Sequence, residues 1–163
     1  MAADLAYDKL IAAAYRFLSY RPRSEKELRD FCDKTLRRHH TTAPLVIKRV
    51  LERCTELGYV DDKKFVEWWV HQRTTFKPKG IRVIISELRA KGIARDAVEA
   101  YVASSTSSSG ERELAKRAIS KKLVLWQPLP LLKRKQKIVE FLLRRGFDSE
   151  VSFGVVDELL AKE

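Results

Sequence analysis

Apolar residues recur at intervals of three and four along nearly the whole chain, and short polar, glycine or proline stretches separate the periodic segments. Such spacing places the apolar side chains on one face of an α-helix, whereas a half-buried strand would alternate apolar and polar residues. No alternating stretch in the sequence is long enough to indicate a sheet. The pattern therefore predicts an all-α protein.

The periodic segments fall into three sets of three helices. The helix that ends near Gly92 and the helix that ends near Gly146 carry the same order of leucine, basic residue, glycine and large apolar residue. A pattern that returns at a fixed interval is typical of a repeat protein. We therefore predict an elongated array of three tandem three-helix repeats. The predicted repeats are residues 1–58, 59–103 and 111–163, with the serine- and glycine-rich stretch 104–110 as a flexible linker.

The most specific pattern lies in residues 58–93. Asp61 and Asp62 stand before an aromatic helix, where a short carboxylate can accept the unpaired N–H groups of the first turn. Gly92 follows the next helix, and we expect it to adopt the left-handed conformation that favours glycine. The positions that define this pattern and its copy in the third repeat are Gly58, Tyr59, Asp61, Asp62, Phe65, Trp68, Gly80, Leu88, Gly92, Leu142, Gly146 and Phe147.

The aromatic residues of this region allow two interpretations. Tyr59, Phe65, Trp68 and Trp69 could form a stacking platform for bases or a partner pocket. Their helical spacing instead favours packing in the core, with Tyr59 or Trp69 left partly exposed. Trp126 stands in a predicted proline-containing loop, and it is a candidate docking residue.

A resemblance to a known family rests on this same region. The order of Gly58-Tyr-Val-Asp-Asp62, a phenylalanine, an aromatic helix, Lys79-Gly-Ile-Arg82 and a helix ending in Lys91-Gly-Ile93 resembles the RecX family of bacterial recombinase regulators. The resemblance implies tandem three-helix repeats that bind along the groove of a RecA–DNA filament, with weaker DNA contact. It also implies modulation, usually inhibition, of filament growth, strand exchange and ATP hydrolysis. The first repeat departs from the family pattern, because residues 32–34 replace the expected leucine and glycine order.

The charge distribution adds a candidate binding surface. The net charge is +11, and residues 111–147 carry eleven lysines and arginines against three acids. Such a concentration of cations suits a polyanionic partner such as a phosphate row or an acidic groove. The candidate contact residues are Arg73, Lys77, Lys79, Lys116, Arg117, Lys121, Lys122, Lys133, Arg134, Lys135, Lys137, Arg144 and Arg145.

Other features favour no catalytic or metal site. Helix capping explains Asp61 and Asp62 without a metal or acid–base pair, and His39 and His40 have no third ligand at a useful spacing. The sequence contains no phosphate-binding loop, nucleophile elbow or zinc spacing, so we expect no enzyme activity, cofactor or metal.

We expect a cytoplasmic monomer with no membrane segment. No apolar run reaches the roughly 20 residues that cross a bilayer, and the two cysteines are expected to be reduced and buried. The alternative to a recombinase regulator is a basic helical-repeat protein that binds single- and double-stranded DNA weakly, without sequence preference and with strong salt dependence.

Overall fold

The computed structural model describes residues 2–105 and 108–161, in which there are nine α-helices and no strand. The predicted all-α fold of three three-helix sets is confirmed. None of the helices in these two ranges is both long and apolar enough to cross a membrane. The helices are α1 (Ala2–Ser19), α2 (Glu25–Arg38), α3 (Pro44–Glu56), α4 (Asp62–Thr75), α5 (Ile81–Ala90), α6 (Arg95–Ser105), α7 (Ser108–Trp126), α8 (Leu131–Arg144) and α9 (Ser149–Leu160).

The predicted linker is mostly helical. Ser104 and Ser105 belong to α6, and α7 begins at Ser108, so the helices take up most of residues 104–110. Thr106 and Ser107 lie outside the described residues. Serine weakens a helix by only a fraction of a kcal/mol per residue, roughly 0.5, so a serine-rich composition does not prevent neighbouring helices from extending.

The chain divides into two compact units, which we describe separately. Unit 1 comprises Met1–Trp68 and Arg89–Ala94, and unit 2 comprises Trp69–Leu88 and Arg95–Glu163. The core of unit 1 includes Leu10, Ala14, Leu28, Cys32, Leu36, Val46, Ile47, Val50, Leu51, Cys54 and Val60. The core of the third repeat, in unit 2, comprises Ala115, Ile119, Ile138, Phe141, Leu142, Phe147, Val151, Val155 and Val156.

Both cysteines are buried free thiols in unit 1, as the sequence predicts. Burial raises the pKa of Cys32 to about 12 and that of Cys54 to about 11. Both side chains are therefore protonated at neutral pH and pack as small apolar groups.

A left-handed residue follows the second helix of every repeat. Gly92 has φ 82°, as predicted, and Gly146 has φ 87°. In the first repeat, where the sequence has no glycine, His40 takes this conformation with φ 53° after the end of α2. The turn geometry is thus retained although the glycine is not, and histidine is among the residues that tolerate it best.

Candidate interaction surface

Two of the predicted contact residues are joined by one carboxylate in unit 2. The Arg73 Nε lies 2.6 Å from an oxygen of Glu87, and Lys79 donates to the other oxygen. The Trp69 indole N–H also donates to Glu87 at 3.0 Å. Burial disfavours the charged form of Glu87, but the hydrogen bonds from Lys79 and Arg73 outweigh it and lower its pKa. The Arg73–Glu87 pair therefore links α4 to α5, and the Lys79–Glu87 pair fixes the turn before α5. Lys77 is exposed, whereas Arg73 and Lys79 are partly buried.

Lys116 is engaged in a similar way. Its Nζ lies 2.7 Å from Glu113 and 2.5 Å from Glu158, and hydrogen bonds to these two carboxylates raise its pKa. Arg112 on the same helix approaches Glu158 at 3.8 Å. These contacts link α7 to α9, so the positive charge at this end of α7 is locally neutralised.

Seven further cations of the third repeat lie in a stretch without acids. Residues 117–139 contain seven lysines and arginines and no aspartate or glutamate. Arg134 and Lys135 are partly buried, whereas the other five are exposed to solvent. We call residues 117–139 the acid-free segment; its exposed cations are Arg117, Lys121, Lys122, Lys133 and Lys137.

The two predicted arginines at the end of α8 differ from each other. Arg144 is exposed, whereas the Arg145 guanidinium lies over the Phe141 ring at 5.0 Å from its centroid. The Arg145 carbonyl accepts the Gly80 N–H at 2.8 Å. Arg145 is therefore partly used in packing within unit 2.

The motif residues of the central stretch serve the fold. Phe65 is fully buried and Trp69 is 8% exposed, whereas Tyr59 is 57% exposed and packs edge-on against Tyr15 at 5.3 Å between ring centroids. The prediction of a largely core role is confirmed, with Tyr59 as the exposed member. Trp68 is partly buried, with the Arg21 guanidinium 5.3 Å from its ring centroid.

The position predicted for Trp126 is wrong. This residue ends α7 instead of standing in a loop, and its ring packs edge-on against Phe141 at 6.0 Å. The apolar run before the prolines prolongs α7 by one turn, because packing on α8 compensates for its low helix propensity. The ring is therefore partly buried, and the docking role predicted for Trp126 from exposure in a loop is not supported.

The two aspartates cap two different helices. Asp61 Oδ1 accepts the N–H groups of Lys63 and Lys64 at 3.0 and 3.1 Å, which confirms the predicted cap of α4. Asp62 Oδ1 instead accepts the N–H of Glu25, the first residue of α2, at 2.9 Å. Burial raises the pKa of Asp62, despite the hydrogen bond from Glu25.

This contact belongs to a cluster in unit 1 that we call the first joint. The Ser24 hydroxyl, just before α2, donates to the carbonyl of Lys91 at 2.8 Å. The Lys91 Nζ lies 2.6 Å from Glu27, which also pairs with Arg21 at 2.9 Å. The first joint thus connects the start of α2 to the turn after α5.

Unit 2 contains an equivalent cluster, the second joint. The N–H of Gly80, just before α5, donates to the carbonyl of Arg145 at 2.8 Å. The N–H of Ile81, the first residue of α5, donates to Glu111 at 3.4 Å, and burial raises the pKa of Glu111. The second joint therefore connects the start of α5 to the turn after α8.

Sequence reasoning missed both joints. Ser24 and Gly80 hold the same place before the second helix of successive repeats, but their side chains differ. What the two joints share is the position of their residues. The residue just before the second helix of one repeat contacts the residue just before the left-handed glycine of the next repeat. Such a correspondence is visible only once the contacts are known.

The described ranges contain no group of three or more histidine, cysteine, aspartate or glutamate side chains that could hold a metal ion. Unit 2 has engaged cations in one part and the acid-free segment in another.

Comparison with known proteins agrees with this organisation. Family models match residues 61–102 to the second three-helix domain of RecX, 110–156 to the third and 11–30 to the first. "Regulatory protein RecX" of Mycobacterium sp. strain KMS is 32% identical over 93% of this chain and 82% of its own length. The chain belongs to the RecX family.

Another RecX relative, from Bacillus subtilis, is 33% identical over 90% of this chain, which spans only about half (53%) of that protein's length. The crystal structure of RecX from Lactobacillus salivarius shares the fold, with a TM-score of 0.77, 24% identity and coverage of 94% of this chain and 96% of that one.

The RecX domain matches are unequal along the chain. The match to the first domain ends at residue 30, before the left-handed His40. The match to the third domain includes the whole acid-free segment. The first repeat is therefore the part of this chain that departs most from the RecX pattern, as its sequence indicates.

Proposed function

We propose that the chain regulates a RecA-type recombinase by binding the groove of the recombinase filament on DNA. The observation that carries this proposal is its membership of the RecX family, with matches to all three three-helix domains. The name of its relatives, "Regulatory protein RecX", supports regulation as the activity. We propose that it acts as a cytoplasmic monomer, by binding and without catalysis.

The chemistry of the contact follows from the exposed cations. The exposed cations of the acid-free segment give it a net positive charge that would attract an acidic protein surface or a phosphate row. They are Arg117, Lys121, Lys122, Lys133 and Lys137. Bound in the groove, the chain would oppose rearrangement of the filament. We therefore propose inhibition of filament growth, strand exchange and ATP hydrolysis.

Direct DNA binding is the second candidate function, and the acid-free segment favours it. Contacts with phosphates would make the affinity fall steeply with salt. The cations of this segment are mostly lysines, and it contains no asparagine and only two glutamines, so we expect little reading of base sequence.

A titration separates the two candidates. Binding is measured to single-stranded DNA alone and to a filament of RecA on the same DNA with a non-hydrolysed nucleotide, across a salt series. Regulation through the filament predicts much tighter binding to the filament than to bare DNA. Equal affinities that fall together with salt would contradict it and leave only DNA binding.

A charge-reversal variant tests the surface. Lys133→Glu with Lys137→Glu should weaken filament binding by about tenfold, because both side chains are exposed in the acid-free segment. Lys9→Glu with Lys34→Glu makes the same charge change at exposed positions of α1 and α2. If both variants bind equally well, the acid-free segment is not the contact surface.

A further inference from the structure

Four aliphatic side chains are exposed around the turn between α7 and α8. Val124 is 66% exposed and Leu125 64%, and on the other side of the turn Leu131 is 53% exposed and Leu132 70%. Lys121, Lys122 and Lys133 flank them and are also exposed. We call these seven residues the α7–α8 tip. Clustered exposed apolar side chains on a soluble protein mark interaction sites.

The tip is held in a defined conformation. The Gln127 N–H donates to the Leu123 carbonyl at 3.0 Å, and the Leu129 N–H donates to the Trp126 carbonyl at 3.0 Å. Pro128 and Pro130 restrict the backbone of the turn, and Trp126 anchors it against Phe141. A partner would therefore meet a surface that loses little conformational freedom on binding.

The two joints show which group contacts the start of the second helix in the first and second repeats. In the first joint the N–H of the first residue of α2 faces the carboxylate of Asp62, and in the second joint that of α5 faces Glu111. Both carboxylates come from the helix that opens the following repeat. The corresponding position in the third repeat is Leu131, the first residue of α8, which lies in the tip.

We propose that the α7–α8 tip docks onto an acidic, apolar segment of a partner protein, with a partner carboxylate at the start of α8 and partner apolar side chains over Leu131 and Leu132. This assignment rests on the proposed function, because the partner is the recombinase within its filament. It adds that the tip contacts the recombinase protein and not the DNA.

Charge complementarity favours an acidic protein over other occupants. The tip has three exposed lysines and contains no acid, so its own charge attracts a partner carboxylate. A nucleic acid would use the lysines but leave the aliphatic side chains in water, since bases stack on aromatic rings. A bilayer surface would favour an exposed tryptophan at such a tip, whereas Trp126 is packed against Phe141.

The test variant is Leu131→Gln with Leu132→Gln, which removes apolar surface without changing the charge. Leu45→Gln is the matched control, because Leu45 is the second residue of α3 and is 76% exposed, as Leu132 is the second residue of α8. Each protein is titrated against bare single-stranded DNA and against the RecA filament at low and high salt. Thermal unfolding checks that the variants remain folded.

We expect the double variant to lose about tenfold in affinity for the filament, with its affinity for bare DNA and its melting temperature unchanged. The loss should persist at high salt, because apolar contacts are not screened. Leu45→Gln should bind like the unchanged protein.

Three results would overturn the proposal. Unchanged filament affinity of the double variant would show that the tip is not the contact, while regulation through the filament would stand. Equal loss of affinity for bare DNA would assign the tip to nucleic acid. Failure of the unchanged protein to prefer the filament would refute the proposed function itself.

Two further measurements test other occupants of the tip. Sedimentation detects self-association, and flotation detects binding to anionic vesicles. Either one, if it depends on Leu131 and Leu132, would overturn the proposed partner.

Discussion

The two joints solve the same structural problem with different side chains. In both, the start of a second helix donates a hydrogen bond to the carbonyl before a left-handed glycine, at 2.8 Å in each case. The first joint surrounds this bond with ion pairs, in which Glu27 contacts both Arg21 and Lys91. The second joint instead packs backbone against backbone, with Gly80 directly on Gly146. A repeat protein can thus retain the carbonyl acceptor and the position of the donor residue, while the donor changes from a side-chain hydroxyl to a backbone N–H.

The difference lies in how much each joint can adjust. A Cβ on Gly92 would lie 2.7 Å from the Cβ of Lys26 and 2.8 Å from its Cδ; the Cδ can move aside, whereas the Cβ is fixed to the backbone of α2. A Cβ on Gly80 would overlap backbone atoms of Gly146 and Phe147, which cannot move without shifting a helix end. The second joint should therefore be the less tolerant of substitution.

The largest expected effect is that of Gly80→Ala. Because the added methyl group would overlap the backbone of the turn after α8, we expect a loss of about 3 kcal/mol or more in the free energy of unfolding. Urea denaturation followed by circular dichroism measures it. Gly154→Ala, a helical site where the new Cβ is 3.4 Å from its nearest neighbour, is the control and should be neutral or stabilising. Equal stability of the two variants would show that the second joint is not rigid.

A sharper comparison substitutes the two left-handed glycines. Gly92 and Gly146 have nearly the same φ, so the conformational cost of alanine, about 1–2 kcal/mol, should be common to both. At Gly146 the Cβ would also approach Val83 at 2.5 Å, including its backbone nitrogen at 2.8 Å. We therefore expect Gly146→Ala to cost about 1 kcal/mol more than Gly92→Ala in urea denaturation. The reverse order would mean that the contact with the Lys26 Cβ is harder to relieve than the contacts with Val83.

The ion pairs of the first joint should show in the pH dependence of stability. Burial opposes ionisation of Glu27, but hydrogen bonds from Arg21 and Lys91 outweigh it and lower its pKa below the usual 4.5. A lowered folded-state pKa means that the contribution is present above the unfolded pKa and is lost as the pH falls through the folded one.

We expect Glu27→Gln to cost about 1 kcal/mol at pH 7, a modest value because the ion pairs are partly exposed, and progressively less as the pH falls below about 4.5. Denaturation of the variant and the unchanged protein over a pH series measures the difference. A constant difference at all pH values would assign the loss to packing and not to charge.

The smallest expected effect is that of His40→Gly, which restores a glycine to the first repeat. Because His40 already has φ 53°, glycine should relieve the left-handed strain and raise the unfolding free energy by up to about 1 kcal/mol. Lys34→Gly, inside α2, is the contrasting control and should destabilise by about 1 kcal/mol. A loss of stability on His40→Gly would indicate that the histidine ring contributes contacts that outweigh the strain.

The local signals of the sequence were sufficient for the helices and most of their ends. The cap at Asp61 and the left-handed Gly92 were predicted from residue type and position, and both are present. The capping box of Ser24 and Glu27 and the left-handed Gly58 and Gly146 follow the same local rules. These features depend on a few neighbouring residues. The extent of α7 and the partner of Asp62 were missed, because both depend on residues distant in the sequence.

The candidate surface was predicted less well for the same reason. Arg73, Lys79 and Lys116 read as available cations in the sequence, yet packing brings Glu87 close to Arg73 and Lys79 and brings Glu158 close to Lys116. Lys133 and Lys137 remain exposed, although Glu140 lies three residues after Lys137. Cations that pair with a carboxylate and cations that stay exposed carry the same charge, so the amino-acid composition cannot distinguish them.

For this protein, the spacing of apolar residues and the capping residues alone determined the all-α class, the three-helix sets and the left-handed turns, because helix formation and capping act over one or two turns of chain. The tertiary structure alone decided which carboxylates neutralise which cations, how each joint is built and which leucines stay in solvent. Those outcomes depend on distances between residues far apart in the chain, and such distances exist only in the folded molecule.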